Sequence, residues 1–129
     1  MQISLSVVMV DSQERALEFY TNKLGFKKHR DVFMGPFRWL TVISTDGVNG
    51  AELMLEKMEF PPALVYQKAR FDAGIPAVAF MTNNIEAEYQ QLEKRGVQFL
   101  GKPKSMGPIV SAVFEDTCGN LVNLVQAAG

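Results

Sequence analysis

Two stretches, QISLSVVMVDSQERALEFYTNKLG (residues 2–25) and AVAFMTNNIEAEYQQLEKRG (residues 77–96), follow one grammar. Each opens on a β-branched, apolar run of strand character, Gln2 to Val10 and Ala77 to Thr82. Each then shows a polar residue three positions ahead of a glutamate, Asp11 with Glu14 and Asn83 with Glu86, the signature of a helix start. Apolar residues recur at helical spacing after both, as Ala16, Tyr20 and Leu24 and as Ile85, Tyr89 and Leu92. Glycine stops both helices, at Gly25 and Gly96.

Three more strand-like runs follow each stop. In the first half they are Phe26 to Phe33, Phe37 to Ser44 and Ala51 to Glu56, parted by turns at Met34-Gly35-Pro36 and Thr45 to Gly50. In the second half they are Val97 to Gly101, Ile109 to Glu115 and Asn120 to Gln126, parted by Lys102 to Pro108 and Asp116 to Gly119. Caps, stops and turns recur in one order, so the chain reads as two βαβββ modules. The expected division is one domain with module 1 at about 1–57, a connector at about 58–75 and module 2 at about 76–127. The connector carries a short helix ending at Gly74, read either as an outer packing element or as an arm across a subunit interface.

Composition narrows the function. Hydrophobic residues at 47% and charged residues at 21% over 129 positions suit a globular chain with a real core. A net charge of -1 offers no footprint for nucleic acid, and no apolar run approaches a membrane span. The start lacks a targeting pattern, so a cytoplasmic protein is expected; the single cysteine, Cys118, fits a reducing compartment.

The stretch Ala16-Leu17-Glu18-Phe19-Tyr20-Thr21-Asn22-Lys23-Leu24-Gly25-Phe26 resembles the first helix of vicinal oxygen chelate proteins, the superfamily of glyoxalases, bleomycin-resistance proteins and extradiol dioxygenases. Similar too are Phe37 to Val42, Gly50 to Glu56, Gly74 to Phe80, Arg95 to Phe99 and the closing Phe114-Glu115-Asp116-Thr117-Cys118-Gly119-Asn120-Leu121. The resemblance implies an α+β fold, an eight-stranded, mainly antiparallel incomplete barrel with exterior helices and a ligand cup inside. It also implies a homodimer.

Enzymes of that superfamily hold a divalent metal through four His, Glu or Gln side chains on the first and last strands of the two modules. Counting from the helix starts and turns puts Leu5, Met54, Ala77 and Asn123 at those places. Leucine and alanine ligate nothing, and a thioether suits hard ions poorly. Glu52 and Glu56 share the strand face of Met54 and are possible polar contributors, still too few for a catalytic site. His29 reads as part of a solvated strand edge and Cys118 as a turn residue; no nucleophile with a base is evident, so no catalytic residue, metal or cofactor is expected.

Inward parity gathers Leu5, Val7, Ala77 and Ala79 from the first strands, Trp39 and Thr41 from the third, and Met54 and Asn123 from the last, a neutral lining suited to small flat ligands. Trp39 is placed inward because Leu40 and Val42 serve the helix side. The expected function is metal-free binding of a small hydrophobic or aromatic molecule, for sequestration, resistance or sensing. The alternatives are a metal-dependent lyase or dioxygenase of glyoxalase type, and an interaction module whose cup is closed core.

Overall fold

The computed structural model describes residues 1–45 and 51–128. The elements run β1 (Leu5–Val10), α1 (Gln13–Glu18, continued as a π-helical turn over Phe19–Lys23), β2 (Lys27–Met34), β3 (Phe37–Ile43) and β4 (Glu52–Lys57). After α2 (Pro61–Asp72) come β5 (Val78–Met81), α3 (Ile85–Lys94), β6 (Lys104–Met106), β7 (Ile109–Glu115) and β8 (Leu121–Ala127). The turn expected from Thr45 to Gly50 lies, past Thr45, outside the described residues.

Two four-stranded sheets result, ordered β1-β4-β3-β2 and β5-β8-β7-β6. In each, the first strand pairs parallel with the last and the remaining pairs are antiparallel. The repeated grammar is thus a repeated topology, but the sheets are not closed into a barrel. No helix among the described residues is long and apolar enough to cross a membrane.

The helix starts fall one residue later than the sequence pattern places them. Ser12, not Asp11, caps α1 by accepting from the Arg15 amide at 3.2 Å, while Asp11 pairs with the Arg15 guanidinium. Asn84, not Asn83, caps α3 by accepting from the Ala87 amide at 3.1 Å. Neither glutamate closes a capping box on its Ncap: Glu14 reaches Arg38 on β3. Where adjacent polar residues compete for a cap, the choice depends on which one the preceding strand leaves in extended backbone, as at Ser12. The strand expected over Val97 to Gly101 contributes a bridge between Phe99 and Phe114; regular pairing resumes only at β6, beyond Pro103. Proline has no amide to donate to a ladder.

One core serves both modules. Val8 and Val10 of β1, Leu40 and Val42 of β3 and Leu53 and Leu55 of β4 meet Ala16, Phe19 and Tyr20 of the first helix. The same cluster continues into Ile85 and Leu92 of α3 and Ala112, Phe114, Val122 and Leu124 of the second sheet. Each such Val, Leu or Phe contributes about 1.5–3 kcal/mol through its burial.

Polar groups tie the modules at the β7–β8 turn. The buried Asp116 carboxylate accepts from the Tyr20 hydroxyl at 2.7 Å, from the Cys118 and Asn120 amides at 2.7 and 3.0 Å, and from Asn120 Nδ2 at 2.8 Å. Asn120 Nδ2 also donates to the Met9 carbonyl at 2.8 Å, as does Gln67 Nε2 of α2. Met9 lies on β1, an edge strand, so these donors satisfy an edge carbonyl that its sheet leaves unpaired.

Candidate ligand-binding face

Strand alternation assigns Val8 and Val10 of β1 to the core and turns Leu5, Val7 and Met9 to the other face. The register carries that face across the first sheet, with Val7 opposite Met54 and Met54 opposite Thr41. In the second sheet Ala79 lies opposite Asn123 and Asn123 opposite Val113. Trp39 shares the parity of Thr41, while Leu40 and Val42 are buried in the helix-side core.

Exposure on this face falls from edge to centre. Val7 is 48% and Met81 71% exposed, and Ala77 and Ala79 are exposed, although three of the four are apolar strand residues. Leu5, Trp39 and Asn123 are half-buried, and Thr41 and Met54 are buried. Glu52 is half-buried and committed: it accepts from the Thr41 hydroxyl at 2.7 Å and from Arg30 Nε at 3.0 Å. Glu56 is half-buried and lies in a separate small cleft with Gln13 and Lys57.

Among the eight residues read from the sequence as a cup, Val7 and Ala77 line one cavity and Ala79 another. The first, of about 390 Å³, lies under α2. The second, of about 210 Å³ and lined also by Glu52, lies between the first sheet and β5. Sequence reasoning missed the α2 side chains Tyr66, Gln67, Arg70 and Phe71 that wall the larger cavity. Their spacings of three and four residues, Gln67 to Arg70, Tyr66 to Arg70 and Gln67 to Phe71, put them on one helix face and were the available signal.

The four counted metal positions are a poor donor set. Leu5 and Ala77 are hydrocarbon, Met54 offers a buried thioether, and the Asn123 oxygen already accepts from the Ser111 hydroxyl. A divalent ion needs three or four nitrogen, oxygen or thiolate ligands. Among the described residues no three His, Cys, Asp or Glu side chains converge. His29 sits exposed at a register shift of β2.

Cys118 is fully buried in the turn, where desolvation and then the Asp116 carboxylate push its thiol up to about 11. It is the wrong direction for a thiolate nucleophile. Burial, reinforced by Asp116, also raises the Tyr20 phenol well above 10.0. Both groups hold their protons more tightly when folded. Their contribution to stability is therefore full below the ordinary values of 9.0 and 10.0 and is lost as pH rises through that range towards the folded values. The melting temperature is expected to fall steeply above pH 9, and less steeply in a Tyr20→Phe, Cys118→Ala double variant measured against its own neutral-pH value. Equal slopes in the two proteins would place the alkaline sensitivity elsewhere.

The model of the Glyoxalase/Bleomycin resistance protein/Dioxygenase superfamily matches residues 2–124. The uncharacterized protein YurT of Bacillus subtilis (strain 168) is 49% identical over 126 residues, covering 98% of this chain and 99% of its own. Among solved structures, UcmS2 superposes with a TM-score of 0.82 at 29% identity over 97% of each chain. TnmS3, an antibiotic binding protein from Streptomyces sp. CB03234, superposes with a TM-score of 0.78 at 27% identity, over 99% of this chain and 97% of its own.

Proposed function

Because the chain belongs to the glyoxalase/bleomycin resistance protein/dioxygenase superfamily, we propose that it is one of the fold's binding proteins rather than one of its metal enzymes. It takes up a small hydrophobic or aromatic molecule, without a metal, for sequestration, resistance or sensing in the cytoplasm. The observation that carries this reading is the open face itself. Apolar Val7, Ala77, Ala79 and Met81 stand exposed on the open faces of the two sheets, and the positions counted from the sequence as the superfamily's metal sites carry neutral side chains. Apolar surface left in water costs about 25 cal/mol per Å², so a planar apolar ligand covering it gains that amount on binding. The likeness to TnmS3, an antibiotic binding protein, supports a binding role for the fold here.

A homodimer belongs to the proposal. The β2–β3 hairpin exposes Val32, Phe33 and Met34, and α2 exposes Leu64 and Val65, apolar side chains that a second chain would cover. Such a chain also adds walls to the open face.

Chelator is expected to leave both the melting temperature and ligand uptake unchanged, and elemental analysis to find no stoichiometric metal. Trp39, half-buried on the open face and the sole tryptophan, is expected to change its fluorescence when a planar compound binds. One equivalent of Zn, Ni, Mn or Fe, lost together with an activity on chelation, would replace this reading with the enzymatic one.

A further inference from the structure

We propose that the cavity under α2 is an anion-recognising end of the binding site, with Arg70 as its cation, so that the preferred ligand is a planar apolar molecule bearing a carboxylate or sulfonate. The inference rests on the binding reading above and adds the chemical class of the ligand.

The cavity, about 390 Å³, is within the size range of small-molecule sites. Val7, Met9, Phe71 and Ala77 supply apolar walls, and Arg70 and Tyr66 supply a polar end. No residue of α2 is buried, so the apolar side chains it turns to this cavity are not tied up in the core. The helix is held by polar contacts instead: Gln67 Nε2 donates to the Met9 carbonyl at 2.8 Å and to Asn120 Oδ1 at 3.0 Å.

Arg70 is fixed and lacks a counter-charge. Its guanidinium donates to the Pro76 carbonyl at 2.7 Å and to the Tyr66 hydroxyl at 3.2 Å, and lies over the Tyr66 ring at 5.5 Å. Arg15, Arg30 and Arg38 each pair with a carboxylate; among the described residues Arg70 pairs with none. Arg95 has no carboxylate partner among the described residues either, but it donates to the Lys23 carbonyl and lines none of the three cavities. A guanidinium has five N–H donors, so two contacts leave Arg70 donors for a ligand, in the planar fork that matches a carboxylate or sulfonate. The Tyr66 hydroxyl, already an acceptor from Arg70, keeps its own hydrogen for a ligand oxygen. Pinning by Tyr66 and Pro76 means that little side-chain freedom remains to be lost on binding.

Two fluorescent probes separate the anion from the hydrocarbon: 1-anilinonaphthalene-8-sulfonate, and N-phenyl-1-naphthylamine, which lacks the sulfonate. The full chain is expected to bind both. Arg70→Gln is expected to weaken the sulfonate probe about tenfold, while the neutral probe changes by less than about twofold. Added salt should weaken the sulfonate probe more in the unmodified protein than in Arg70→Gln. Tyr66→Phe, which keeps the charge, provides a second variant and should weaken only the sulfonate probe, by a smaller factor. If both probes bind and neither variant discriminates between them, the anionic subsite is wrong and the apolar binding reading stands. If neither probe binds the unmodified protein, the binding reading fails and the subsite with it.

Discussion

Asp116→Ala is expected to lower the unfolding free energy by about 3 kcal/mol, a large share of what a domain of this size possesses. The carboxylate is fully buried and accepts four hydrogen bonds, one from Tyr20 of the first module and three from its own turn. Alanine leaves those four donors facing a void. Each orphaned buried donor costs about 1–3 kcal/mol, offset in part because the carboxylate's own desolvation is relieved and water can enter the space. Tyr20→Phe removes a single bond and should cost about 1–1.5 kcal/mol, so a double-mutant cycle between the two positions should show coupling. Urea titrations measure all three variants. A loss below about 1 kcal/mol for Asp116→Ala would mean that the turn is held by its backbone alone. The closing Asp-x-x-Gly-Asn motif would then have no part in docking the modules.

Phe114→Ala should cost about 3–5 kcal/mol, the range for emptying an aromatic site in a packed core. Phe114 is 1% exposed and stands between Phe19 of the first helix and Phe99, with ring centroids 6.1 and 5.3 Å away. Its position makes the test sharper than a stability measurement. Phe114 belongs to the second sheet, whereas Trp39, the fluorescent reporter, belongs to the first. With one core shared between them, the variant should shift the Trp39 transition and the far-ultraviolet transition by the same amount. A Trp39 transition left in place while the rest moves would show two modules that unfold separately. The bearing on function is direct, because a common core holds the two open faces in a fixed relation and so keeps the cavity at their junction preformed.

The repeated module was legible because its signals are local. Alternation in Gln2 to Val10, the helical spacing of Ala16, Tyr20 and Leu24, and glycines at Gly25 and Gly96 each depend on a few neighbouring residues, and Gly25 and Gly96 do take the left-handed backbone that such stops require. That Leu40 and Val42 share one strand face likewise followed from parity; that this face is the helix-side core was decided by packing. The misplaced caps and the late β6 mark where locality ended. Choosing between Asp11 and Ser12, or between pairing before and after Pro103, depends on a partner strand that the local pattern does not contain.

The site divides the same way. By itself the sequence determined the two-module fold, the parity that groups Leu5 with Val7, Trp39 with Thr41 and Ala77 with Ala79, and the chemical poverty of Leu5, Met54, Ala77 and Asn123 as metal ligands. All three are properties of residue type and spacing. Only the tertiary structure decided that Val7 and Ala77 line a cavity from which Met54 and Asn123 are absent, that Glu52 is engaged by Arg30 and Thr41, and that the connector's Arg70 lines that cavity with no carboxylate partner among the described residues. Those facts concern groups far apart in the chain, and their geometry is set by how two sheets and a helix dock, which the periodicity of any one segment cannot express.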